Sequence, residues 1–260
     1  MTLRADGIAV TFERTRVLSG VDFEAQPGQV TAIVGPNGSG KTTLLRALTG
    51  EIAASGRIAL DDIEVGPRRA AALAARRGVL PQATRLAFPF TVTEVVRLGH
   101  LAGPHADRPD IPARALARVG LRHKADRPYQ DLSGGEQQRA QLARVLAQIW
   151  MPRGRHGANW LLLDEPVSSL DIGQQLSVMR LAHGFAAGGG GVVCVLHDLN
   201  LAAMFADAIV VMRQGGVAAR GTPATVLTSA ILSDVYACDI EVGCVPAPGV
   251  PFILPQAART

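Results

Sequence analysis

A glycine-rich segment early in the chain has the residue types and spacing of a phosphate-binding loop. Residues 35–42 fit the pattern G-x-x-x-x-G-K-[ST]. In such a loop the backbone N–H groups surround phosphates, the Lys41 ammonium reaches the terminal phosphates, and the Thr42 hydroxyl binds Mg²⁺. A plain glycine turn is the alternative, and the presence of every fixed position disfavours it. The predicted phosphate site, here called the phosphate loop, consists of Gly35, Pro36, Asn37, Gly38, Ser39, Gly40, Lys41 and Thr42, with Thr43 following it.

Two carboxylates follow an apolar run at residues 161–163. Asp164 is placed to hold Mg²⁺, and Glu165 is placed to orient or deprotonate an attacking water. A strand followed by a solvated acidic turn is the alternative. The phosphate loop upstream favours the catalytic interpretation.

A second glycine-rich segment, residues 132–139, reads Leu-Ser-Gly-Gly-Glu-Gln-Gln-Arg. Its glycines expose backbone N–H groups, Ser133 adds a hydroxyl, and a helix-prone run follows. This is the layout of an anion site at a helix N-terminus. The candidate anion-binding residues are Ser133, Gly134, Gly135 and Glu136, so the chain has two predicted anion sites.

Three further residues are candidates by position. Gln82 and His197 each follow a predicted strand, at the sheet edge where ligands bind in α/β folds. Gln82 could contact the metal or the water, and His197 could bond a terminal phosphate. Phe12 ends the first predicted strand, where its ring could stack on adenine. Each has an ordinary core or surface role as its alternative.

The elements that must position these residues form an α/β pattern. Apolar runs at 30–34, 160–163 and 192–196 predict parallel strands buried on both faces. Shorter strands at 8–12, 21–23, 57–60 and 78–81 suggest an N-terminal part with antiparallel β character beside a mostly parallel core, and a later strand is predicted at 209–212. Helical periodicity predicts helices at 43–49, 93–98, 111–119, 137–149 and 172–187. We expect an inserted helical subdomain at about 84–150, one domain over 1–242, and a proline-rich tail at 243–260.

The composition gives no sign of a nucleic-acid-binding protein, of a cysteine metal site or of a membrane-spanning segment. The 260 residues carry 26 Lys+Arg against 22 Asp+Glu, a net charge of +4 that is too weak to argue for nucleic acid. Lys41 and Lys124 are the only lysines. The three cysteines lack metal-ligand spacing, and no apolar run has the length of a membrane span. We therefore expect any membrane association to go through a partner.

With these residues in hand, the chain resembles the ATP-binding subunits of ABC transporters over nearly its whole length. The phosphate loop matches Walker A, Gln82 the Q-loop, and residues 132–136 the signature. Residues 161–164 match Walker B with Glu165 as catalytic glutamate, residues 169–171 the D-loop, and His197 the H-switch.

The resemblance implies a P-loop NTPase core, with ATP and Mg²⁺ as cofactors. It also implies a head-to-tail homodimer in which Ser133 and its neighbours contact the ATP of the other copy, with Asp171 of the D-loop among the nucleotide-binding residues. Lys41, Gln82, Glu165 and His197 would be catalytic, and Thr42, Gln82 and Asp164 would hold the metal. The subunit would sit on the cytoplasmic face of the inner membrane, attached through a permease dimer.

Finer features resemble the importers of iron complexes, and among them the haemin importers. These features are residues 88–96 and 197–202, a loop of Pro, Gly, Arg and His at 150–160, and the tail at 245–252. The resemblance implies haem as cargo and a periplasmic haem-binding protein as an indirect partner. A siderophore or cobalamin cargo remains open. A soluble non-transport ABC ATPase is the alternative of another class, and it is disfavoured because the chain has neither a coiled-coil insertion nor a second ATPase half.

Overall fold

The computed structural model describes residues 2–82 and 88–257, with most of the chain in regular elements. The strands are β1 (Leu3–Phe12), β2 (Thr15–Ala25), β3 (Val30–Val34), β4 (Ser55–Leu60), β5 (Ile63–Glu64), β6 (Arg77–Leu80), β7 (Arg153–Gly154), β8 (Gly157–Ala158), β9 (Trp160–Asp164), β10 (Gly191–Val195), β11 (Ala208–Arg213) and β12 (Gly216–Gly221). The helices are α1 (Lys41–Leu48), α2 (Ala70–Ala74), α3 (Val92–Leu101), α4 (Ile111–Arg118), α5 (Gly134–Gln148), α6 (Ile172–Ala187), α7 (Leu199–Phe205), α8 (Pro223–Val226) and α9 (Ser229–Tyr236).

A six-stranded sheet forms the centre, in the order β12-β11-β3-β10-β9-β6. Every neighbouring pair is parallel except β11 and β12. All five residues of β3, β9 and β10 are buried, because both faces of the sheet are covered. Side chains alternate between the two faces: Leu161 and Leu163 join one apolar core, and Leu162 joins the other. The prediction of a mostly parallel, doubly covered sheet is confirmed.

A four-stranded antiparallel sheet, in the order β2-β1-β4-β5, lies at the N-terminal side. Its inward residues share a core with α1 and with one face of the central sheet. Ile8 and Leu18 are fully buried there, and Leu44 of α1 packs with them. The predicted antiparallel β region is therefore present, and it covers the same face of the central sheet as α1.

Helices α3, α4 and α5 pack together and supply much of the second core. The approach of α3 to α5 is close because two glycines face the α5 backbone. A Cβ at Gly99 would lie 2.1 Å from the Arg144 carbonyl oxygen, and one at Gly103 would lie 2.0 Å from that of Gln148. Residues 84–87 of the predicted helical subdomain lie outside the described residues, and its bounds stay a prediction, as do those of the domain and the tail.

Several local predictions were wrong. Helix α5 begins at Gly134 rather than at 137, because the Ser133 and Glu136 side chains form a capping box that starts the helix within the glycines. Helix α1 begins at Lys41 rather than at 43. The predicted loop at 150–160 contains the hairpin β7–β8. A set of short elements is present that was not predicted: β5, α2, α7, β12, α8 and α9.

The close α3–α5 contact generates a stability prediction. We expect Gly99→Ala to lower the free energy of unfolding by about 2 kcal/mol, because its methyl group would overlap the Arg144 carbonyl. Urea unfolding of the full chain measures this. Gly184→Ala on α6 is the matched control, since a Cβ there meets nothing within 4 Å. It should be neutral or stabilising by up to about 1 kcal/mol. Equal effects of the two changes would contradict the tight helix contact.

Candidate functional site

The phosphate loop joins β3 to α1 through a turn that requires glycine. Gly35, Gly38 and Gly40 have φ values of 146°, 77° and 99°. A Cβ at Gly35 would lie 2.2 Å from the Met212 carbonyl oxygen, and one at Gly40 would lie 2.8 Å from Leu18 Cδ2. Both the backbone conformation and the space therefore exclude a side chain at these two ends of the loop.

The loop offers polar groups that suit an anion. Helix α1 has Gly40 at its N-cap without a side-chain cap, and its first turn has no acidic residue. The Ser39 hydroxyl is buried without a partner among the described residues. Lys41 is 5% exposed, and its ammonium donates to the carbonyls of Gly35 at 2.9 Å and Pro36 at 3.0 Å. Burial lowers the pKa of Lys41, against the attraction of Glu165 and Asp164. Phosphate oxygens would satisfy these donors.

Asp164 ends β9 directly opposite the start of α1. The Thr42 hydroxyl donates to Asp164 Oδ1 at 3.1 Å. Burial raises the pKa of Asp164 to about 6. A hydroxyl and a carboxylate side by side are the protein ligands that suit Mg²⁺ when phosphate and water supply the rest. No cluster of three or more His, Cys, Asp or Glu side chains with metal-binding geometry occurs at residues 2–82 and 88–257.

The candidate residues line two adjoining cavities. One of about 190 Å³ brings Thr42, Gln82 and Asp164 to the same wall. The other, of about 200 Å³, is lined by Val17, Asn37, Gly38, Gly40, Lys41, Thr42, Thr43 and Glu165. Sequence reasoning missed Val17, since nothing local marks a valine of β2 as facing the loop. The Phe12 ring is 45% exposed and does not line this cavity.

Glu165 and His197 are in direct contact. His197 Nε2 lies 2.6 Å from Glu165 Oε1, with the Glu165 side chain 13% exposed. Adjacent parallel strands β9 and β10 bring the two residues together at their carboxyl ends. His197 thus lies beside the proposed base, while its predicted phosphate contact stays a prediction.

The second glycine-rich segment forms the N-terminus of α5. Ser133 Oγ accepts the Glu136 N–H at 3.3 Å, and Glu136 Oε2 accepts the Ser133 N–H at 3.1 Å. Lys124 donates to the other Glu136 oxygen and is the main cause that lowers the pKa of Glu136 to about 2. Ser133 and Gly134 are exposed. None of residues 133–136 lines the cavity that contains Lys41.

Asp171 occupies the N-cap of α6. Its carboxylate accepts the Gln174 N–H at 2.8 Å. This capping role was not predicted, and the predicted contact of Asp171 with a nucleotide stays a prediction.

A phosphate loop facing a buried aspartate, with a glutamate–histidine pair beside it, defines a nucleotide-hydrolysing P-loop protein. Residues 18–168 match the ABC transporter family, so the chain belongs to that family and is an ABC-type ATP-binding protein. Two relatives carry the name "Hemin import ATP-binding protein HmuV". The one from Jannaschia sp. is 56% identical, with 99% of this chain and 95% of the relative covered. The one from Ruegeria sp. is also 56% identical, with 100% of both covered.

Solved structures agree in fold. Cassette cbiO1 from Clostridium perfringens, part of the transporter complex cbiONQ, is 27% identical with a TM-score of 0.72, covering 89% of this chain and 92% of that one. An ATP-bound bacterial Atm1-family ABC exporter is 26% identical with a TM-score of 0.75, covering 91% of this chain and 41% of that one. Among the described residues, no helix is long and apolar enough to cross a membrane.

The Lys124–Glu136 pair generates a prediction about ATP affinity. Without Lys124, the Glu136 carboxylate would stand uncompensated at an N-terminus that is expected to meet a phosphate. We expect Lys124→Met to raise the KM for ATP by about fivefold to tenfold, because the Glu136 carboxylate would repel the phosphate of ATP. Steady-state ATP hydrolysis at varied ATP measures this.

Two matched variants test the cause. Glu136→Gln added to Lys124→Met should restore the KM, because it removes the uncompensated charge. Arg122→Met removes a like charge from the same turn, where Arg122 has no ion pair among the described residues, and should leave the KM unchanged. A KM that stays high in the double variant would contradict the electrostatic explanation.

Proposed function

We propose that this protein is the ATP-hydrolysing subunit of an importer that takes up haemin through a separate transmembrane permease. The observation that carries the ATPase part is the cavity in which Lys41, Thr42 and Glu165 meet. The cargo is inferred from the relatives, which are named for hemin import and are 56% identical over nearly full length.

The proposed chemistry is positioning plus electrostatic stabilisation. The loop N–H groups and Lys41 hold the phosphates of ATP, and Lys41 faces the charge that develops on the terminal phosphoryl group. Thr42, Asp164 and Gln82 would hold Mg²⁺, which neutralises phosphate charge when bound. Glu165 orients or deprotonates the attacking water.

His197 acts beside this base. Its ring nitrogen within 2.6 Å of the Glu165 carboxylate fixes that side chain before ATP binds. In the proposed cycle the ring then turns to the terminal phosphate, which frees Glu165 to take the proton of water. Phe12 would stack on the adenine, with Val17 against the nucleotide on the same side.

Two copies of the chain would act together. Ser133, Gly134, Gly135 and Glu136 form a helix N-terminus outside the phosphate-loop cavity, with the first two exposed and the other two half-buried. A helix N-terminus that suits a phosphate and lies outside the phosphate-loop cavity fits the ATP held by a second copy. In that arrangement Asp171 also faces the other copy. We therefore propose a head-to-tail homodimer that closes on two ATP molecules.

The permease would attach to the helical part of the chain, on the cytoplasmic face of the inner membrane. This part exposes large apolar side chains: Phe88 and Leu101 are 67% exposed and Leu98 is 45% exposed. Exposed apolar side chains on a folded chain suit a protein partner. A periplasmic haem-binding protein would deliver the cargo to the permease, without contact with this subunit.

The catalytic assignment is tested at Glu165. We expect Glu165→Gln to lower kcat for ATP hydrolysis by about a hundredfold or more, because an amide cannot accept the proton of water. ATP binding should persist, since Lys41 and the loop are untouched. Phosphate release and nucleotide-binding titrations measure the two effects, and wild-type turnover in this variant would exclude Glu165 as the base.

The same variant tests the dimer. With ATP and Mg²⁺, Glu165→Gln should accumulate as a dimer in size-exclusion chromatography, because closure occurs but hydrolysis does not. Adding Ser133→Arg should abolish that dimer while leaving ATP binding by the monomer. A dimer that survives the arginine would show that the second glycine-rich segment does not clamp the nucleotide.

The cargo is tested by growth. A strain lacking this gene should fail to grow on haem as sole iron source, because uptake lacks its ATPase, and should still grow on siderophore iron. The wild-type gene on a plasmid should restore growth, and the Glu165→Gln gene should not. Loss of growth on siderophore iron alone, or loss of cobalamin uptake, would assign one of those cargoes instead.

A further inference from the structure

The carbonyl group of Glu165 is held by α5, the helix that begins in the second glycine-rich segment. Gln138 Nε2 donates a hydrogen bond of 2.7 Å to the Glu165 carbonyl oxygen. The N–H and the hydroxyl of Ser168 each lie 3.3 Å from the same oxygen. Gln138 therefore supplies the shortest of these contacts, and the one that comes from outside the loop that contains Glu165.

The Glu165 backbone needs such a restraint. Its φ is 49°, in the left-handed region that non-glycine residues rarely adopt. The other non-glycine residues with positive φ in the described chain lie in hairpin turns or at a helix end: Glu13, Asp61, Gln214 and Ala237. Glu165 instead directly follows the buried strand β9. A conformation of this kind persists only where neighbouring contacts fix it, and here it sets the direction of the carboxylate.

The geometry fixes which way the Gln138 amide faces. Its Oε1 atom is buried without a hydrogen-bond partner among the described residues. The opposite orientation would place two oxygens against each other at 2.7 Å, so the amide nitrogen must face Glu165. The donor of this bond is therefore the Gln138 side chain, and the acceptor is the Glu165 backbone.

Three segments that contain predicted functional residues meet around Gln138. A cavity of about 180 Å³ is lined by Gln138 together with Gln82, Gly134, Ser168 and Ser169. A Cβ at Gly135 would lie 3.0 Å from the Ser169 carbonyl oxygen. The start of α5 is thus packed against the loop that follows Glu165, so a displacement of α5 acts on that loop.

We propose that Gln138 is a positioning residue that fixes the direction of the Glu165 carboxylate by holding its strained peptide. This inference rests on the proposed role of Glu165 as the base. Helix α5 of each copy is expected to contact the ATP of the other copy, while Gln138 ties the same helix to the Glu165 of its own chain. When one nucleotide site closes, α5 therefore positions the Glu165 carboxylate of the other site.

The test is Gln138→Met in the full-length chain. Methionine keeps the length and volume of the side chain and removes the amide donor. We expect kcat for ATP hydrolysis to fall by about tenfold to a hundredfold, because the base is displaced. The KM for ATP should stay within about twofold, since the phosphate loop is untouched. An unchanged kcat, or a raised KM with normal kcat, would overturn the proposal.

Gln175→Met is the matched control. Gln175 Nε2 donates to the Val167 carbonyl at 3.3 Å, so it is the same kind of bond to the same loop, two residues from Glu165. It should leave kcat within about twofold of the wild type. A fall as large as that of Gln138→Met would show general loosening of the loop and would overturn the specific role of Gln138.

The Glu165→Gln background separates this inference from the proposed function. With ATP, the Gln138→Met, Glu165→Gln double variant should still form the closed dimer, because Gln138 serves the base rather than the phosphate clamp. Loss of the dimer would place Gln138 in the clamp and overturn the proposal. Normal ATP turnover by Glu165→Gln alone would instead contradict the proposed role of Glu165, whatever the kcat of Gln138→Met.

Discussion

The rest of the structure depends on one turn, at which the chain leaves a fully buried strand and starts a helix whose first N–H groups are left uncapped. Such a turn is held from outside as well as by its own hydrogen bonds from Lys41 to the Gly35 and Pro36 carbonyls. The Met212 carbonyl and Leu18 fill the space that side chains at Gly35 and Gly40 would need. The Gly215 N–H donates to the Ser39 carbonyl at 3.0 Å. The antiparallel sheet and β11–β12 therefore fix the loop in the form that surrounds a phosphate.

This constraint explains which features could be predicted from sequence. The requirements of the phosphate loop are local: glycines where φ is positive, a lysine, a hydroxyl, and a buried strand before them. The strands β3, β9 and β10 can also be predicted from sequence, because continuous apolar runs suit a sheet covered on both faces. Asp164 and His197 then follow from position alone, since parallel strands end at a common edge.

The remainder depends on contacts between residues far apart in the chain. Gln138 meets Glu165 across 27 residues, and Lys124 meets Glu136 across 12. Neither pair has a periodic or local signal. The start of α5 differs, because its signal is local: Ser133 and Glu136 have the spacing of a capping box, whereas the periodicity that predicted the helix begins only at Gln137. The short elements α7, α8 and β5 were missed because they lack the length over which periodicity can be recognised.

The two ends of α1 differ in whether protein groups satisfy their backbone groups, and only the N-terminal end is left available for phosphate. The N-terminal end, at Gly40, has neither a side-chain cap nor an acidic residue, so its partial positive charge is free for phosphate. At the other end, Arg77 donates to the carbonyls of Leu48 and Thr49 at 3.4 and 2.5 Å, and so compensates the partial negative charge. Burial lowers the pKa of Arg77 to about 10, which leaves it charged at neutral pH.

Arg77 also begins β6, the strand that leads to Gln82. The contact at the C-terminal end of α1 therefore ties the helix that follows the phosphate loop to the strand that leads to Gln82, a predicted metal contact. A shift of α1 on ATP binding would move β6 with it through a charge-assisted bond rather than through loose packing. The phosphate loop and the contact with β6 thus lie at opposite ends of a single eight-residue helix.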